Sequence, residues 1–151
     1  MRVLGIESSS LVASVAIVTD GILTAEYTVN LKKTHSQTLL PMIDEVIRML
    51  EIELDTIDAI AVSGGPGSFT GLRIGSATAK GLGLAMKKPL IHVPTVDAMA
   101  YNLYGTDALI CPIMDARRNQ VYTGLYHFRE EFEIVKEQQP ADIKELAGEN
   151  G

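Results

Sequence analysis

The sequence has no tryptophan, three phenylalanines and one cysteine in 151 residues. A lone cysteine rules out an intrachain disulfide, which excludes a disulfide-stapled secreted scaffold and suits a reducing cytoplasm. Cys111 lies in the apolar run ALICPIM and reads as a buried strand residue rather than a reactive thiol. Positive charge is also short, with 13 Lys and Arg against 19 Asp and Glu and a formal net charge of -6. A free-standing, sequence-independent nucleic-acid binder needs a basic surface to release phosphate counterions, so contact with RNA is expected only in company with a partner. No uncharged run reaches the ~18 residues of a membrane span, and the apolar stretch of MRVLGIESSS is too short for a signal peptide. Of the three histidines, His35 reads as a capping or surface residue. His92 and His127 sit in strand-like runs with no second ligand two or four residues on, so no metal site assembles from neighbouring residues.

The hydrophobic fraction of 46% and charged fraction of 21% are those of an ordinary globular chain. The first thirty residues predict three strands, RVLGIE, LVASVAIV and ILTAEYTVN, with a hairpin turn at Asp20-Gly21. A helix follows, started by Thr34 or Ser36 and carrying Pro41 in its first turns. Its apolar arc, Leu39, Leu40, Ile43, Ile47 and Leu50 with Met42, Val46 and Met49 at the side, is about 180° wide against the ~100° that faces one core. TIDAIAVSGG predicts a strand entering a glycine turn, Ser68 caps a helix from about Phe69 to Met86, and PLIHV is a further strand. TVDAMAYNLYG predicts a helix capped by Thr95 and stopped by Gly105. Strand and helix alternate, the pattern of an α/β layer. A second unit is expected from Asp107, where an apolar strand ending in Asp115 echoes the strand ending in Glu7. Residues 107–151 are too few for a sheet with its covering helices, so this unit is expected to be incomplete.

Residues 63–85, SGGPGSFTGLRIGSATAKGLGLA, hold seven of the thirteen glycines. They miss the Gly-Lys-Ser/Thr of a Walker loop and the third glycine of a dinucleotide fingerprint, though a helix N-terminus here could still hold an anion. Gly71, Gly75, Ala79 and Gly83 form an i, i+4 ridge without bulk, and each helical glycine costs up to ~1 kcal/mol against alanine, which asks for a packing return. Arg73, Lys80 and Lys87, seven residues apart, make one charged stripe on the same helix. The ridge is expected to dock a partner's helix; the alternative is that both helices are central in their own domain. Glu7 and Asp115 read as strand-end acids, and the hydroxyls of ESSS have no histidine at the spacing a serine nucleophile needs.

GIESSS, HSQTLLPMID, GGPGSFTGLRIG and MDARRNQVYTGLY, in that order, resemble the TsaB (YeaZ) family of the bacterial machinery that makes threonylcarbamoyladenosine (t6A) on tRNA. The resemblance covers nearly the whole chain and implies an actin-like (ASKHA, ribonuclease H-like) α/β fold of two related subdomains. Residues 1–106 would be the first, complete; residues 107–151 would begin the second. It also implies a non-catalytic cytoplasmic scaffold, without cofactor or metal, that pairs with the TsaD transferase and helps recruit the ATPase TsaE. The pair would meet tRNA only as a complex, and the chain alone is expected to form a homodimer. Leu39, Met42, Ile43, Val46 and Met49 of the first helix, with Gly71, Arg73, Gly75, Ala79 and Gly83 of the second, are the expected interface. In TsaD relatives a His-x-x-x-His pair follows the strand that here reads LIHV, and the matching positions are Thr95 and Met99, which cannot replace imidazoles. Actin-like kinases approach phosphate with glycine- and hydroxyl-rich corners, so Ser8, Ser9 and Ser10 are the candidate phosphate contact, while Ala116, Arg117 and Arg118 depart from that pattern. The alternative function is an ATP-dependent phosphotransferase using Glu7 or Asp115.

Overall fold

The computed structural model describes residues 1–30 and 34–149, so the last two residues of the expected second unit lie outside the described residues. The chain divides into two compact units, Met1–Val93 and Pro94–Gly151.

In unit 1, β1 (Arg2–Glu7), β2 (Ala13–Thr19) and β3 (Ile22–Val29) form an antiparallel meander. Asp20 and Gly21, with φ of 51° and 80°, make the two-residue turn that the Asp-Gly pair predicts. Helix α1 (His35–Met49) precedes β4 (Ala59–Ser63), which pairs parallel with β1. Helix α2 (Phe69–Met86) leads to β5 (Leu90–Val93), parallel to β4, and completes the sheet order β3-β2-β1-β4-β5. Alternation decides the core: Leu4 and Ile6 of β1, Val15 and Ile17 of β2, and Ile60 and Val62 of β4 form one buried cluster with residues of both helices. Each such large apolar side chain contributes about 1.5–3 kcal/mol by leaving water.

Helix α2 has the boundaries its signals predict. Ser68 Oγ accepts the Gly71 N–H at 3.2 Å, and Lys87 ends the helix in the left-handed region while the Lys88 N–H reaches the Gly83 carbonyl at 2.9 Å. Thr34 stands at the N-cap of α1, but its hydroxyl meets Ser36 Oγ rather than a helix N–H.

Unit 2 starts earlier than residue 107. Helix α3 (Thr95–Ala100), capped at Pro94 rather than Thr95, buries Val96 and Ala100 with Ile110, Tyr126 and Phe128, which joins it to the second unit and moves the boundary to Val93/Pro94. A 3-10 turn covers Tyr101–Leu103, so the predicted helix to Gly105 is shorter. Strands β6 (Ile113–Asp115), β7 (Gln120–Phe128) and β8 (Phe132–Asp142) form an antiparallel sheet in that order, and α4 (Ile143–Glu149) follows. Tyr126 is fully buried and its hydroxyl donates to Asp97 Oδ1 at 2.6 Å, tying β7 to α3. Burial first, and then this hydrogen bond and the Asp97 charge, hold the phenol well above the usual tyrosine range.

Candidate functional site

The motif residues of unit 1 meet at the corner between β1 and β2. Glu7 ends β1, and its Oε1 accepts the Ser9 N–H at 2.6 Å and the Ser63 hydroxyl at 3.1 Å. Ser8 is fully buried; its hydroxyl donates to the Gly71 carbonyl at 2.8 Å. The Ser9 carbonyl accepts the Ser68 N–H at 2.6 Å, which fastens the corner to the first turn of α2. From the other side His35 Nε2 donates to the Ser10 carbonyl at 2.7 Å; the ring is buried, so this histidine is a clamp on the corner rather than a surface residue.

These contacts explain the glycines. A Cβ at Gly71 would overlap the Ser8 carbonyl oxygen, one at Gly75 the Ser8 hydroxyl, and one at Gly67 the Ser9 carbonyl oxygen. Further along α2, a Cβ at Gly83 would stand 2.8 Å from Leu90 Cδ2 of β5. The ridge is therefore packed upon, but by its own sheet: Ser8 seats at the N-terminal end of α2 and Leu90 at the C-terminal end. Ala79 is fully buried between them, in the same core as Leu39, Met42, Ile43 and Val46.

That placement corrects the expected interface. Leu39, Met42, Ile43, Val46, Gly71, Gly75, Ala79 and Gly83 are buried within unit 1 and present no free surface, because the wide arc of α1 is used against both the sheet and α2. Met49 and Arg73 are exposed. Leu40 of α1, and Phe69, Lys80 and Leu84 of α2, accompany them in water. Sequence periodicity marked the apolar arc; it carried no signal for which part of the arc the sheet would claim. The candidate phosphate contact is corrected as well. Ser8 and Ser9 are buried, the Ser8 hydroxyl and the Ser9 backbone groups being committed within the corner, and only Ser10 is exposed, where its hydroxyl accepts the Val12 N–H at 3.3 Å.

A groove of about 470 Å3 runs between α2 and the end of β4, lined by Val62, Leu72, Arg73, Ser76, Lys80 and His92 among others. Arg73 lies over the Phe69 ring at 5.3 Å, and His92 Nε2 lies 3.3 Å from the Gly64 carbonyl. The groove was not visible in sequence, since it depends on β5 being the last strand of the sheet.

In unit 2 the Asp115 carboxylate accepts the Arg117 N–H at 2.8 Å, the same acid-to-amide device that Glu7 uses. Arg117, Arg118 and Asn119 are exposed and adopt φ of 66°, 53° and 61°. Cys111 is half-buried and lies outside the strands, between Ile110 and β6, so it is not the buried strand residue expected; its sulfur is 3.3 Å from Thr123 Oγ1. His127 Nε2 donates to the Asp107 carbonyl at 2.8 Å, and its Nδ1 is buried without a hydrogen-bond partner. Thr95 is buried and Met99 half-buried on α3. Among the described residues no three His, Cys, Asp or Glu side chains gather in a metal-binding group, and no helix is long and apolar enough to cross a membrane.

Comparison with known proteins agrees with this architecture. The family model of TsaD, tRNA N6-adenosine threonylcarbamoyltransferase, matches residues 24–149. The tRNA threonylcarbamoyladenosine biosynthesis protein TsaB of Bacillus subtilis (strain 168) is 37% identical over 129 residues, 85% of this chain and 56% of the relative. TsaB of Escherichia coli (strain K12) is 32% identical over 160 residues, covering 99% of this chain and 69% of the relative. The chain thus spans 56% and 69% of the length of these two relatives. The solved structure of YeaZ from Pseudomonas aeruginosa matches with a TM-score of 0.83 at 28% identity, over 93% of this chain and 67% of that one. Component A of the (R)-2-hydroxyglutaryl-CoA dehydratase of Acidaminococcus fermentans, at 16% identity and a TM-score of 0.58 over 95% of this chain and 48% of its own, shares the fold alone. With a model of the wider TsaD family matching most of its length and TsaB relatives more than 30% identical to it, the chain belongs to the TsaB (YeaZ) family and has the actin-like α/β fold.

Proposed function

We propose that the chain is a non-catalytic subunit of the machinery that forms threonylcarbamoyladenosine on tRNA. In this reading it acts in the cytoplasm and pairs with the TsaD transferase through the outward sides of α1 and α2. It helps to recruit TsaE and meets tRNA only within that complex. Family membership supplies the pathway. The observation that carries the non-catalytic part is the sealed corner: Ser8 is fully buried and its hydroxyl is spent on the Gly71 carbonyl, so it serves the packing of α2 rather than the approach of a phosphate. Glu7, the acid a phosphotransferase would require, is held by the Ser9 amide and the Ser63 hydroxyl. Docking falls to the exposed remainder of the two helices, Leu40, Met49, Phe69, Arg73 and Leu84. Apolar side chains exposed in this way favour association, and without TsaD the same face pairs two copies about a two-fold axis.

The test is reconstitution with TsaD, TsaE, tRNA and the threonylcarbamoyl donor. Omitting the chain should abolish t6A formation, and the chain alone should turn over no ATP. Light scattering should show a complex with TsaD that Met49→Asp weakens. ATP turnover by the chain alone that disappears in Glu7→Gln would overturn the non-catalytic reading and restore the phosphotransferase.

A further inference from the structure

Unit 1 keeps an open recess on the α2 side of its sheet. Strands β4 and β5 run parallel, and the groove of about 470 Å3 lies at their carboxyl ends, where Val62 and Ser63 finish β4 and His92 nears the end of β5. Ligands of open α/β sheets settle outside the carboxyl ends of the strands, and the volume is that of a small-molecule pocket. The carboxyl end of β1, next in the sheet, is closed by Ser8 against Gly71, so the space falls beside it. Gly64 lets the His92 imidazole lie back against the turn after β4: a Cβ on residue 64 would overlap the ring, whose Nε2 stands 3.3 Å from the Gly64 carbonyl.

Charge and polarity limit what can enter. The lining carries Arg73, Lys80 and His92 and no carboxylate, in a chain whose formal net charge is -6. Among the described residues neither Arg73 nor Lys80 forms an ion pair. Ser76 stands between them on α2, about 5 Å along the helix axis from each, so one anionic group over Ser76 is within reach of both long side chains. Arg73 lies over the Phe69 ring at 5.3 Å, which holds its planar guanidinium at the rim. Val62, Leu72 and Ala77 make the wall apolar. A metal cation would meet only positive charge here. A neutral apolar ligand would strip water from two cations and return no hydrogen bond to them, and inorganic phosphate would leave the apolar wall unused. We propose that this groove binds a small organic oxyanion, a carboxylate or phosphate group on an apolar body, with Arg73 and Lys80 pairing its charge. Such a site belongs to unit 1 alone and requires no partner chain.

The experiment is a nuclear magnetic resonance titration of the full chain with benzoate and phenyl phosphate, and with neutral benzamide and inorganic phosphate as counterparts. Saturable shifts of the Phe69, Leu72 and His92 signals are expected with at least one of the two organic anions, and binding of only one assigns the group as carboxylate or phosphate. Benzamide and inorganic phosphate should bind about fivefold more weakly or worse, because each uses half of the groove. Arg73→Gln and Lys80→Gln lie at exposed positions that the fold does not depend on, and each should weaken binding about fivefold or more. Ser76→Leu fills the groove while keeping both cations and should abolish binding. No saturable shift with either organic anion, or equal binding of benzamide, would overturn the proposal. So would inorganic phosphate binding as tightly as phenyl phosphate. Anion binding that Ser76→Leu leaves unchanged would overturn it too, by placing the anion on surface charge outside the groove.

Discussion

At the end of β1 the Glu7 carboxylate accepts the Ser9 N–H at 2.6 Å, and at the end of β6 the Asp115 carboxylate accepts the Arg117 N–H at 2.8 Å. Both acids close a strand, and an antiparallel strand follows each. The surroundings differ. The first corner is buried under α2, its serines seated on glycines and clamped by His35. The second carries three exposed residues, Arg117, Arg118 and Asn119, all with positive φ. One local device thus supports a core contact in one unit and a strained surface loop in the other. Chemistry cannot be carried between the corners on the strength of their likeness, because the first spends its Ser8 hydroxyl on the Gly71 carbonyl and the second has no hydroxyl.

The comparison can be broken by mutation, and the largest effect is expected at the first corner. Gly71→Ala gains up to ~1 kcal/mol of helix propensity. Its new methyl meets a backbone carbonyl that cannot rotate away, so a net loss of about 3 kcal/mol is expected in denaturant unfolding. Tyr126→Phe, in the core of unit 2, should cost about 1.5–3 kcal/mol, because it removes a hydrogen bond to a carboxylate. The phenol is raised above its ordinary value of 10.0 in the folded state, so its contribution is fully present below about pH 10 and is lost as pH rises toward the folded value. Alkaline unfolding of the native chain should show that loss, and Tyr126→Phe should remove it. The smallest effect has the opposite sign. Arg118→Gly relieves a left-handed residue at an exposed position and should leave stability unchanged or raised by up to ~1 kcal/mol.

Much of unit 1 was legible before the structure. Asp20-Gly21, Ser68 and the apolar alternation of β1, β2 and β4 are local signals, and each produced the element it predicts. The direction of the glycine ridge was not local. An i, i+4 line of small residues says that something approaches closely, and a strand corner 63 residues away in sequence satisfies it as well as a partner's helix does. The boundary between the units failed for the same reason: Val96 and Ala100 look like the end of the first unit until Tyr126 and Phe128 are seen against them. The ring packing that joins Tyr101 and Tyr104 to Phe128 and Phe132 was not local either, and no motif spans that separation.

The most direct test of the account is a double-mutant cycle on Gly75 and Ser8, read by equilibrium unfolding. A Cβ on residue 75 would overlap the Ser8 hydroxyl, while the Ser8 Cβ lies 3.2 Å away. Gly75→Ala alone should therefore destabilise by about 2 kcal/mol. Ser8→Ala alone should cost about 1 kcal/mol through its lost hydrogen bond. In the double variant the missing hydroxyl makes room for the new methyl, so the combined loss should fall short of the sum by about 1 kcal/mol or more. If instead Gly75→Ala stabilises by the ~1 kcal/mol of helix propensity and the two changes simply add, the ridge does not seat the corner, and the sealed-corner account is wrong.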